Sequence, residues 1–215
     1  MKKILSEYLG TTLLVAIVVG SGIMATDLTQ DVGLQLLINT IATVFGLAVL
    51  ILILAPISGA HFNPVVTLVN LIQGKSSVLQ FIQYTIAQVL GAISGALLAN
   101  AMFDHTVIET ATKIRSGSNL YLAEIVATAG LILVINLLVA QKNVTVIPAA
   151  VAAWIGSAYF FTSSTSFANP AVTIGRTFTD SFAGIAPDCA PKFIAAQILG
   201  AIIGLGLVKV LTHDK

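Results

Sequence analysis

The sequence predicts an all-α membrane protein: six transmembrane helices plus two re-entrant half-helices, arranged as two inverted repeats. Composition is the first reason. Of 215 residues, 57% are hydrophobic and 9% charged, and the mean hydropathy is +0.99, beyond the range of soluble domains. The second reason is spacing. Charge-poor runs recur at 4–24, 34–54, 78–102, 120–140, 144–161 and 193–211, each near the ~20 residues an α-helix needs to cross about 30 Å of hydrocarbon. The third is a repeated pentapeptide, Asn63-Pro64-Val65-Val66-Thr67 and Asn169-Pro170-Ala171-Val172-Thr173. No run of short alternating segments, the mark of a membrane β-barrel, is present.

The first span follows Lys2 and Lys3 and holds Glu7. Its basic flank and the small residues at 20–22 would also fit a secretory signal, but Glu7 has a counterpart at Glu124 in the fourth span, which favours a retained helix. A carboxylate among apolar residues is costly and faces the protein interior or a cavity. Glu7 and Glu124 are therefore expected to accept hydrogen bonds from the re-entrant loop of their own half. The alternative for Glu7 is snorkelling to the interface.

The second span ends before Ser58-Gly59-Ala60-His61-Phe62, and the fifth before Ser163-Ser164-Thr165-Ser166-Phe167-Ala168. Each stretch leads into Asn-Pro, a strong helix start. Asn caps free N–H groups, and Pro sits at the first helical position, where its missing N–H costs nothing. The apolar segments that follow, 64–72 and 170–178, are about 15 Å long at 1.5 Å per residue, half a bilayer. Irregular backbone is tolerated at membrane depth only where protein surrounds it or it lines a wet cavity. The carbonyls of Gly59, Ala60 and His61 are expected to line such a path. His61 either braces this loop as a neutral imidazole or senses pH at the mouth.

The third and sixth spans carry Gly91, Gly95, Gly200 and Gly204 at small-xxx-small spacing, which lets helices approach closely. They also carry the matching heptapeptides that begin Ala87-Gln88 and Ala196-Gln197. The Asn-Pro motifs lie 106 residues apart (169 − 63), and the glutamines 109 (197 − 88). Such ordered landmarks imply one channel domain, 1–215, made of a repeat 1–103, a connecting loop 104–119 and a repeat 120–215. Three spans per repeat make the copies inverted. The two half-helices then enter from opposite faces and meet with their N-termini together. Each N-terminus carries the equivalent of about +0.5 charge, so the meeting point opposes cations and hydronium while the Asn amides offer donors to neutral solutes.

Basic residues beside the spans set orientation. Lys2, Lys3, Lys75, Lys142, Lys209 and Lys215 fall on one side with Asp214, and Lys113, Arg115, Arg176 and Lys192 on the other. Both termini are therefore expected in the cytoplasm, in the cell (inner) membrane. The net charge of +1, with no basic cluster, gives no sign of nucleic acid as a partner. Cys189 is the sole cysteine and is expected to be inert; no metal-ligand spacing, nucleophile set or phosphate loop points to a cofactor or an enzyme. Trp154 and Tyr159 are expected to face lipid or a neighbouring subunit.

On Ser58-Gly59-Ala60-His61-Phe62-Asn63-Pro64 and Asn169-Pro170-Ala171, with Glu7, Glu124, Gln88 and Gln197, the chain resembles the aquaporin, or major intrinsic protein, family along nearly its full length. The resemblance implies a passive channel for water or small neutral solutes in the lipid bilayer, a homotetramer with one pore per subunit, and a pore midplane at Asn63, Pro64, Asn169 and Pro170.

Most water channels of that family have Arg after the second Asn-Pro-Ala; here the residue is Val172. The family's selectivity filter carries over to Phe45 as its aromatic member, to Gly156 or Ser157 in the fifth span, to Ser166 or Phe167 in the second loop, and to Val172. A filter without Arg or His is expected to be wide enough for glycerol-sized solutes or metalloid acids such as arsenous acid. The alternatives are a strict water channel and, from another class, an ion-coupled secondary transporter. Arg176, one turn beyond Val172, either contributes ion screening or is a surface arginine. Val65, where Ala is usual, either packs behind the pore or narrows it.

Overall fold

The structure is a computed structural model that describes residues 1–212; Asp214 and Lys215, which the charge pattern assigns to the cytoplasmic side, lie outside the described residues. Six helices are long and apolar enough to span a membrane: α1 (Lys2–Leu28), α2 (Val32–Ser58), α4 (Val78–Met102), α5 (Ser118–Ala140), α6 (Ile147–Phe161, preceded by a 3₁₀ turn at Val144–Val146) and α8 (Ala190–Thr212). Two short helices, α3 (Pro64–Ile72) and α7 (Pro170–Gly175), begin at the Asn-Pro motifs. The chain is a multi-pass membrane protein. Large apolar side chains such as Leu52, Ile86, Leu199 and Val210 stand exposed around the bundle, as expected when the surrounding solvent is hydrocarbon.

The bundle is built twice. In the first half α1 packs on α4, and in the second α5 packs on α8. Glycines make both crossings close: a Cβ on Gly91 would lie 2.5 Å from the Tyr8 carbonyl oxygen, and one on Gly200 would lie 2.5 Å from that of Ile125. Without a hydrophobic driving force between helices in lipid, such backbone proximity supplies the packing energy. Outside these crossings, α2 packs on α6 and closes the ring. The half-helices plug the middle. α7 lies against α4, with Gly175 so close to Ala92 that a Cβ would sit 2.6 Å from its carbonyl oxygen, while α3 reaches α8 as well as α4.

The second half-helix is shorter than its sequence suggests. After Gly175 the chain tightens into a 3₁₀ turn at Arg176–Phe178, because the Arg176 carbonyl accepts from the Ile185 N–H at 3.2 Å and is lost to any further α-helical turn.

Candidate functional site

Both half-helices start in the same way. The Asn63 side chain accepts from the Val65 N–H at 3.1 Å, and Asn169 accepts from those of Ala171 at 2.9 Å and Val172 at 3.2 Å, with Pro at the first helical position in each case. Each amide nitrogen then crosses between the halves. Asn63 Nδ2 donates to the Ala168 carbonyl and Asn169 Nδ2 to that of Phe62, both at 2.8 Å. The two caps therefore stand tip to tip, and each keeps a second amide hydrogen free of any protein acceptor among the described residues.

The loops feeding these caps are bent by left-handed backbone at matching places: Ala60 (φ 48) and Phe62 (φ 48) in one, Ser166 (φ 51) and Ala168 (φ 47) in the other. A non-glycine residue in this region is strained by about 1 kcal/mol or more and persists only where its surroundings hold it. Here a buried carboxylate does so. Glu7 Oε1 accepts from the His61 N–H at 3.0 Å and from Ser58 Oγ at 2.6 Å, and its Oε2 accepts from the Phe62 N–H at 2.7 Å and from Gln88 Nε2 at 2.8 Å. Glu124 repeats the pattern, accepting from the Phe167 N–H at 2.9 Å, the Ala168 N–H at 2.8 Å and Gln197 Nε2 at 2.7 Å. Both glutamates are fully buried, so Glu7 does not snorkel.

His61 is held from both ring nitrogens, by Thr67 Oγ1 at 3.0 Å and by Asn70 Nδ2 at 2.9 Å. The Asn70 amide nitrogen can only donate, so Nε2 accepts and the proton sits on Nδ1. A neutral imidazole with both nitrogens engaged is a brace.

A cavity of about 560 Å³ runs past both caps, from Lys75 and Thr145 at one end to Arg176 at the other. Gly59, Ala60, His61, Asn63, Ser166, Phe167, Asn169 and Val172 line it. Pro64 and Pro170 are buried at the helix starts beside it. Val65, 1% exposed, packs away from the cavity, and Val66 and Val69 face it.

Three expected filter residues are elsewhere. Phe45 is 68% exposed on the outside of α2, whereas Thr43, Leu47 and Ile51 line the cavity. At 100° per residue, two positions turn a side chain to the far side of a helix. In α6, Gly156 packs under α2, where a Cβ would meet Val44 Cγ2 at 2.5 Å, and Ser157 is on the exposed outer face. The cavity-lining members of α6 are Ile155 and Tyr159. Tyr159, expected at the lipid face, is 4% exposed, and its hydroxyl lies 3.3 Å from Thr43 Oγ1. Trp154 donates from Nε1 to the Ala127 carbonyl at 2.9 Å and packs over Gly130. A sequence signal for α2 existed: Gln35, Asn39 and Thr43 form a polar stripe at i, i+4, i+8, and all three are buried.

Arg176 is also not a surface residue. It is 3% exposed and lines the cavity, with its guanidinium carbon 3.4 Å from the centre of the Phe167 ring and its Nε donating to the Ala183 carbonyl. Arg115 stands 5.1 Å from the same ring centre and donates to the Gly184 and Phe182 carbonyls at 2.9 and 3.3 Å. Lys113 donates to Phe182 as well, at 2.9 Å. Burial and the two neighbouring guanidiniums push Lys113 down to about 8. Burial pulls Arg115 down to about 10, against the opposing pull of Glu124. Among the described residues no group of His, Cys, Asp and Glu could hold a metal ion.

Comparison with known proteins agrees with this geometry. The family model for the major intrinsic protein matches residues 1–168. The chain is 48% identical over 208 residues to the aquaglyceroporin AqpS of Rhizobium meliloti (strain 1021), covering 97% of this chain and 89% of that protein. It is 36% identical to the probable aquaporin TIP2-2 of Oryza sativa subsp. japonica, over 61% of this chain and 54% of that one. The X-ray structure of the aquaglyceroporin from Plasmodium falciparum has the same fold, with a TM-score of 0.73 at 22% identity over 99% of this chain and 97% of that one. The chain belongs to the major intrinsic protein family. It is a passive membrane channel for water and small solutes, and not an enzyme.

Proposed function

We propose that the channel passes uncharged solutes up to the size of glycerol and metalloid acids such as arsenous acid, as well as water. The observation that carries this reading is the composition of the wall just beyond the paired caps. The hydroxyl-bearing Thr43 and Tyr159 line the cavity there. Interleaved with them on the same wall stand Leu47, Ile155, Phe167 and Val172. Val172 fills the place where an arginine would narrow the path, and a wall with both hydroxyl and apolar groups suits a solute with hydroxyls along an apolar frame. In this reading Asn63 and Asn169, with Pro64 and Pro170 behind them, form the midplane, and Glu7 and Glu124 hold the loops.

The matched contacts of the two halves support a single domain, 1–215, in repeats 1–103 and 120–215 joined by 104–119. Family membership and the lysine distribution favour a homotetramer in the cell (inner) membrane with both termini cytoplasmic. AqpS is an aquaglyceroporin by name, which fits the wider solute range. Stopped-flow light scattering on proteoliposomes tests the proposal with water, glycerol, urea and arsenous acid as separate solutes. Downhill flux of glycerol and arsenous acid without any ion gradient is the expected result. Flux of water alone would reduce the protein to a strict water channel, and flux abolished by collapsing an ion gradient would indicate coupled transport.

A further inference from the structure

We infer that Arg176 is the charge barrier of the outer filter, set one helical turn beyond Val172, so that pore width and ion exclusion are governed by different residues. The inference rests on the channel reading above and names the residue that sets its ion selectivity.

Arg176 is buried, yet it faces the continuous cavity and no carboxylate neutralises it: the one ion pair among the described residues joins His105 and Glu109. Glu124, the acid whose field reaches Arg176, already accepts three hydrogen bonds from Phe167, Ala168 and Gln197. The guanidinium is fixed on two sides, flat against the Phe167 ring and tied through Nε to the Ala183 carbonyl. Phe167 is in turn held by Glu124 through its N–H. The Nη groups have no acceptor among the described residues, which leaves them for the cavity. A fixed positive charge beside a narrow path of low dielectric repels cations strongly, because the energy of two charges scales inversely with the dielectric constant.

The turn of offset separates two tasks that one side chain could otherwise perform together. An arginine at position 172 would take up the room of its own side chain in the path. At position 176 the same charge is carried outward by four residues, about 6 Å at 1.5 Å per residue, and is laid against Phe167 and out of the way. Val172 then sets the width. Lys113 and Arg115, which hold the carbonyls of Phe182 and Gly184, add positive charge behind Arg176 and pin the loop that positions it.

The test is a charge transplant. R176Q, R176K and the double variant V172R/R176Q are reconstituted, with thermal stability in detergent as the folding control, and potassium and proton leak are measured beside glycerol flux. R176Q is expected to raise the leak about tenfold for the loss of one charge near the path, and R176K to keep it near the wild-type value. The double variant is expected to restore exclusion while cutting glycerol flux, since charge and bulk then share one position. A folded R176Q as tight as the wild type would overturn the inference. If R176Q is unstable, R176M, which keeps an unbranched apolar stem against Phe167 without the charge, decides in its place: a folded R176M as tight as the wild type would overturn it. Absence of glycerol flux in the wild type would instead defeat the channel reading on which the inference stands.

Discussion

Asn63 donates to the Ala168 carbonyl and Asn169 to that of Phe62, each at 2.8 Å, so each half of the protein is fastened to the other at the residue just before its partner's cap. The bonds are reciprocal because the repeats are inverted: Phe62 and Ala168 hold the same place in their loops, 106 positions apart (168 − 62). One hydrogen of each amide is spent on the seam, and the other remains for a passing oxygen.

Asn169→Asp removes the seam bond, since a carboxylate cannot donate, and places a negative charge where two helix N-termini converge. The expected outcome is a cap that survives, because Asp is as good an N-cap as Asn, with cation leak raised about tenfold as the positive field is cancelled. Electrophysiology on planar bilayers checks it.

Glu124→Gln keeps the size of the side chain but turns an acceptor-only group into one whose NH₂ meets the N–H of Phe167 or Ala168. At least one buried donor is left unpaired, at a cost of about 1–3 kcal/mol, and the strained backbone at Ser166 and Ala168 loses its anchor. A lower melting temperature in detergent and reduced glycerol flux are expected, with Glu7→Gln behaving alike in the first half. An unchanged melting temperature in both would refute the bracing role.

Gly10→Ala acts at a distance. A Cβ at this position of α1 would enter the Phe62 ring, which is 1% exposed and has nowhere to retreat. Overpacking of this kind costs about 1–3 kcal/mol. Because the Phe62 carbonyl receives Asn169, the displacement reaches the pore. Water permeability should fall along with stability.

Val172→Arg inserts a long cation beside Asn169 and one turn from Arg176. Glycerol and arsenous acid flux should drop at least tenfold while water flux falls less, by the dependence of selectivity on pore width. Comparison of the flux ratios in proteoliposomes checks this, and equal losses for all solutes would remove Val172 from the filter.

Lys113 offers a pH test outside the membrane-spanning segments. With its amine lowered to about 8 by burial and by Arg115 and Arg176, the folded protein holds this proton more weakly than an unfolded chain does. Stability therefore gains as pH rises from about 8 towards the ordinary lysine value and is not helped by acid. At pH 8 about half of the Lys113 amine is neutral, so reductive methylation should modify it there and gain only about twofold at pH 10. Mass spectrometry after limited labelling at the two pH values reads the extent. Replacing Arg176 with Gln should slow Lys113 labelling, because one repelling charge is gone.

The six spans and the two short helices were legible in the sequence because each depends on local chemistry: apolar length, and Asn-Pro at a helix start. The small residues at 91, 95, 200 and 204 were legible for the same reason. What the sequence left open was rotational phase. In a soluble helix the polar face marks the outside, but here the lipid-facing and packed sides are both largely apolar: α2 offers only the short stripe of Gln35, Asn39 and Thr43, and in α6 the polar Ser157 faces outward. For this reason the sequence points to Phe45 and Gly156, which the fold turns away from the cavity, and places Tyr159 at the lipid or subunit face, whereas it is buried against the cavity. Only the tertiary structure, through the contact of α2 with α6 and the clasp of residues 182–184 around Arg176, decided that Thr43, Tyr159 and an arginine one turn late line the path. Those side chains owe their places to neighbours more than a hundred residues away or across a loop, and to nothing in their own segments.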